Sequence, residues 1–198
     1  MNELALYQYV LIALIFIWSG FVRSGLGFGG AVLSLPFLLL VHNQPLVFLP
    51  LISVHLLVFS ALTVLGNQRR QRRLPEHEST GPTVDWPYLR YALVIMIVPK
   101  LIGVFGLITL PPALMSSIIF SIVAVYSVSY ILNRPFHSKS RAVDALFLVL
   151  GGYISGTSLI GAPLIIAVFA THVPKERLRD TLFVLWFILV SIKMAAFV

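Results

Sequence analysis

Eight apolar runs, most of them close to twenty residues long and nearly free of charge, make up most of this chain. A helix needs about 20 apolar residues to cross the hydrocarbon core of a bilayer. The runs read as Leu4–Val22, Ser24–Val41, Leu46–Leu65, Tyr88–Thr109, Pro112–Leu132, Ala142–Ile154, Ser155–Thr171 and Thr181–Val198. Charged residues are 11% of the chain and hydrophobic residues 59%, whereas a soluble domain carries roughly 25% charged residues. That is too little charge to cover a water-facing surface. The expected fold class is therefore all-α: a polytopic membrane helix bundle forming a single transmembrane domain over residues 1–198. The N-terminus lacks the basic region and small-residue cleavage site of a signal peptide and carries Glu3.

The net charge of +7 sits in the connections. Arg69, Arg70, Arg72 and Arg73 open the linker 67–87; Arg134, Lys139 and Arg141 fall in 133–141; Lys175, Arg177 and Arg179 fall in 172–180. Lys and Arg are retained on the cytoplasmic side of a membrane. Eight crossings place all three basic loops, and the turn at Arg23, on that side, with both termini opposite. The connections at His42–Pro45, Leu110–Pro112 and 154/155 then lie on the far side without Lys or Arg. A re-entrant second and seventh segment is the alternative, and it strands the Lys175–Arg179 cluster outside. The basic charge is thus topogenic, and nucleic acid is not an expected partner; the bilayer is. The cell membrane, of bacterial inner-membrane type, is the expected location. With no cysteine, disulfides and thiolate metal sites are excluded.

Two glycine-rich junctions match at a constant offset. Phe16, Gly20, Ser24, Gly25, Gly30 and Ala31 fall on Phe147, Gly151, Ser155, Gly156, Gly161 and Ala162, and Pro36 and Pro163 follow. Chance is the competing account, since glycine is common in membrane helices. As a true repeat, the copies are inverted, with repeat one at about 1–132 and an incomplete repeat two at about 133–198. Inverted repeats with interrupted helices place substrate between the interruptions.

The stretches Ser24-Gly-Leu-Gly-Phe-Gly-Gly-Ala-Val-Leu-Ser-Leu-Pro36 and Ser155-Gly-Thr-Ser-Leu-Ile-Gly-Ala-Pro163, with Val98-Pro99, Gly103 and Gly106, resemble the sulfite exporter TauE/SafE family of membrane proteins. The resemblance implies a multi-pass transporter that moves small sulfur-containing or organic anions, typically outward. The chain departs from the family's pattern at Lys100 and in its short second repeat.

The residues themselves suggest an anion site. An interrupted helix in lipid leaves amides that must be buried in protein or line a cavity, and the start of a half-helix attracts anions. Candidate binding residues are Arg23, Ser24, Gly25, Gly27, Gly29, Gly30, Lys100, Ser155, Gly156, Thr157, Ser158 and Gly161. Tight packing is the competing role for the G-x-x-x-G pairs Gly25/Gly29 and Gly152/Gly156. Arg23 offers a planar fork for an oxyanion, or else a cytoplasmic anchor. Lys100 lies in mid-segment, where a charge is functional by default, with Asp144 as an alternative partner. His55 is a candidate proton relay, while His42, Asp144 and Lys193 are read as interfacial or solvated. The match of Gly25–Gly30 to G-x-G-x-x-G lacks the strand that a dinucleotide site requires. No spacing suits a metal, no cofactor is called for, and no catalytic constellation is present. A secondary transporter for a small anion such as sulfite, an organosulfonate or a carboxylate is expected. The alternative is a non-transporting subunit whose cavity a homodimer or other partner closes.

Overall fold

A computed structural model describes residues 4–26, 30–73, 81–133 and 140–196. Among these it holds eight helices and no strand: α1 (Leu6–Leu26), α2 (Gly30–Val41), α3 (Pro45–Arg73), α4 (Trp86–Thr109), α5 (Pro112–Ile131), α6 (Arg141–Ser158), α7 (Ala162–His172) and α8 (Lys175–Ala195). The all-α membrane bundle is as expected. α1, α3 and α4 are each long and apolar enough to cross a bilayer.

Helices α1 and α2 form an antiparallel hairpin. Gln8 Nε2 donates to the Val41 carbonyl at 2.9 Å, Trp18 meets Phe37 edge to face, and Gly30 lies against Ser19 and Arg23. Helices α6 and α7 repeat the arrangement: His172 and Asp144 pair at 2.8 Å, Gly151 lies against Ile165, and Gly161 lies against Ser155. α2 has 12 residues and α7 has 11. At 1.5 Å per residue each spans about 16–18 Å, little more than half of a ~30 Å hydrocarbon core. Neither α2 nor α7 is therefore long enough to cross that core alone.

Each hairpin returns to the face it started from, so the side of every other loop is unchanged. One face collects the α2–α3 turn and the start of α5, joined by Asn43 and Ser116. The other collects Asn67 with Asp180, the Asp85 amide with Thr181, and Tyr88 stacked on His172. Arg69–Arg73, Arg90, Arg141, Lys175, Arg177 and Arg179 all belong to helix ends at this second face, which the charge rule makes cytoplasmic. Three described cations are not there. Arg23, Lys100 and Lys193 are buried in the interior.

α4 and α6 run parallel along a seam without side chains. Gly152 sits on the Met96 backbone, and Gly156 sits on the Lys100 carbonyl and on Gly103. Small residues let backbones approach this closely, which is how helices associate where lipid removes the hydrophobic drive. The three glycines thus pack helices and do not break them. α6 continues past the junction expected at 154/155 and stops only at Leu159, whose φ of 63° is left-handed. Gly161 follows, pressed against the Gly151 carbonyl, and Pro163 starts α7.

Candidate functional site

The two breaks face each other across a cavity of about 30 Å³. The first hairpin supplies Arg23, Gly30 and Ala31, and the second supplies Leu159 and Ala162; Leu56 and Ser60 come from α3, Phe183 and Trp186 from α8. These residues lie near the middle of α3 and of α8, so the cavity sits inside the bundle, away from the helix ends. The N-termini of α2 and α7 open onto it. The first amides of a helix have no intrahelical partner and carry the positive end of its dipole.

Among the described residues, Arg23 is the one charged residue in this wall. It is 3% exposed, and its Nη1 has no hydrogen-bond partner among the described residues. The Ser60 hydroxyl in the same wall is likewise buried and unpartnered. Gly30 leaves the room the guanidinium occupies: a Cβ there would meet Nε and Nη2 at 2.9 Å. Arg23 is thus not the cytoplasmic anchor that its basic character also allowed. Beside it, His55 packs against Gly20 and the rings of Phe16 and Phe59, with its Nδ1 unpartnered. His42 is half-buried at the first face, edge to face with Phe48.

The second break is framed from behind. Lys100 Nζ donates to the Ser155 carbonyl at 2.9 Å and to its hydroxyl at 3.0 Å. Lys193 Nζ donates to the Thr157 carbonyl at 3.2 Å. Both lysine side chains cap the C-terminal end of α6, satisfying carbonyls that have no partner within the helix. Thr157 and Ser158 turn their hydroxyls back to the Ile154 carbonyl at 3.0 Å each. Lys100, Ser155, Gly156, Thr157, Ser158 and Gly161 therefore shape the break without lining the cavity. Lys100 is not paired with Asp144, whose carboxylate binds His172. Asp144 and Lys193 are 6% and 0% exposed and not solvated, because each is drawn into the bundle by a hydrogen-bonding partner. Ser24 and Gly25 lie in the last turn of α1, and Gly27, Phe28 and Gly29 lie outside the described residues.

The frame leads to a graded expectation. Lys100→Met removes two hydrogen bonds from the end of α6 and Lys193→Met removes one longer one. At about 1 kcal/mol per bond, the Lys100 variant should unfold more readily than the Lys193 variant by about that amount, measured by denaturation in detergent micelles.

Sequence reasoning found Arg23, Gly30 and the second break, but not Leu56, Ser60, Phe183, Trp186 or the role of Lys193. Lys193 carried the same signal as Lys100, a lysine in an apolar run; the wall residues carried none.

A helical membrane protein whose two interrupted hairpins meet at a buried arginine has the parts of a transporter of the broken-helix kind. The chain belongs to the TauE/SafE sulfite exporter family: the family model described as Sulfite exporter TauE/SafE matches residues 11–198. No curated protein and no solved structure matches the chain.

Proposed function

We propose that the protein is a secondary transporter for a small anion, working in the cell membrane, with the anion bound between the two helix breaks. The observation that carries this reading is Arg23: a buried cation inside the bundle, lining a cavity, with a donor unpartnered among the described residues. A charge there costs at least about 2.5–3.5 kcal/mol, which an anion offsets each time it binds. Two half-helix N-termini and the Ser60 hydroxyl supply further donors for its oxygens. The inverted repeat is part of the proposal. The hairpins α1–α2 and α6–α7 enter from opposite faces and break at matching positions, which supports a common ancestry for the two halves. Ser24, Gly25, Gly27 and Gly29 complete the first break in this reading, while Lys100, Ser155, Gly156, Thr157, Ser158 and Gly161 hold the second in shape. Sulfite, a small sulfonate or a carboxylate are the candidate cargoes.

Flux into proteoliposomes tests this with sulfite, sulfate, a small sulfonate and a carboxylate. The unaltered protein should carry at least one of them. Gly30→Val, which drives a side chain into the space of the guanidinium, should reduce that flux at least about tenfold, the loss expected when a 1.4 kcal/mol contact is removed. A folded protein that carries none of the four would end the reading.

A further inference from the structure

We infer that the cavity selects anions by charge number, taking singly charged anions and rejecting doubly charged ones. The inference deepens the anion reading above and rests on it.

Among the described residues, a single cationic side chain, Arg23, stands in the cavity wall. The two other buried cations are turned elsewhere: Lys100 holds the Ser155 carbonyl and hydroxyl, and Lys193 holds the Thr157 carbonyl. Neither lines the cavity. Apart from Ser60, the side chains that complete the wall are apolar, among them Leu56, Leu159, Phe183 and Trp186. One guanidinium neutralises one negative charge. A second charge on the same anion finds no cationic partner at contact distance, and an uncompensated charge in an apolar enclosure is strongly unfavourable. The helix N-termini at the cavity carry only about half a positive charge each, and they do not replace a second cation at contact distance.

The structure supplies its own probe. The chain has three tryptophans, and Trp186 lies in the wall. Trp18→Phe with Trp86→Phe leaves Trp186 alone as a reporter of binding in detergent, where no transport is needed. Formate and hydrogensulfite should change its emission at concentrations at least about tenfold below those at which sulfate or hydrogenphosphate does, a difference of 1.4 kcal/mol. The apparent affinity for total sulfite should fall as the pH is raised and hydrogensulfite gives way to the dianion. Arg23→Lys keeps the charge and loses the fork, so binding should weaken while the preference for singly charged anions survives. Sulfate binding as tightly as formate overturns the charge selection and leaves the anion site standing. Silence of Trp186 toward every anion, in a protein with an unchanged helical spectrum, overturns the anion site itself.

Discussion

Replacing Arg23 with methionine will make the protein more stable and unable to hold its anion. The two halves of that result come from one fact. Arg23 is buried, and its Nη1 is unpartnered among the described residues, so the empty protein bears the cost of a charge held away from water. Replacing buried ionic groups by apolar side chains of similar size is often neutral or stabilising by about 1–4 kcal/mol, and methionine follows the path of the arginine stem. We expect a gain of about 1 kcal/mol in resistance to unfolding in detergent. The same change removes the one cation that the described residues place in the cavity wall. Removing one partner of a buried charge pair costs about 2–5 kcal/mol, so anion affinity reported by Trp186, and flux with it, should fall at least about thirtyfold. A structural arginine gives the opposite pattern, with stability lost and affinity spared. Stability gained where function is lost marks a residue kept for its work and against the interest of the fold.

Gly156→Ala has the largest effect expected on folding. A single methyl at this position would run into the Lys100 carbonyl and come within 2.9 Å of Gly103 Cα and the Val104 amide nitrogen. All three are backbone atoms of α4, so no rotamer change relieves the clash, and the helices must part. Overpacking of a core typically costs about 1–3 kcal/mol. The upper end applies here, because separating α4 from α6 also loosens the contact of Gly152 with Met96. Gly106, with open space where its side chain would be, is the control. Gly106→Ala should unfold within about 0.5 kcal/mol of the unaltered protein, as substitutions away from packed features do. Equal stability of the two alanine variants would dismiss the seam as the element that holds α4 to α6.

The eight helices were legible because length and apolarity alone decide them in lipid, and the clustering of the basic residues at one face followed from the loop sequences. The inner geometry was harder to read, for identifiable reasons. Glycine reads as a helix breaker from its behaviour in water, yet Gly151, Gly152 and Gly156 all lie inside α6. The break falls instead at Leu159, a left-handed leucine that no propensity favours. Arg23 satisfies the charge rule at a surface turn as readily as it serves an anion in the interior. Only the return of α2 alongside α1 buries Arg23, and that return is a tertiary fact. Ser60 and Trp186 are ordinary residues on apolar helices until α3 and α8 are set side by side.

The two hairpins differ in what surrounds them, and this bears on which of them moves. α6 is fixed to α4 by backbone contact along the glycine seam. α1, in contrast, is 17% buried over its spanning window, and Leu14, Ile17 and Phe21 face outward. In water, swinging such a helix would uncover apolar surface at about 25 cal/mol per Å². In a bilayer, the surface it leaves and the surface it gains are both acyl chain, so the exchange is nearly free. The α1–α2 hairpin meets the rest of the bundle mainly through α2, against α3 and α5, so α1 is the freer of its two helices to tilt, and Arg23 sits on it.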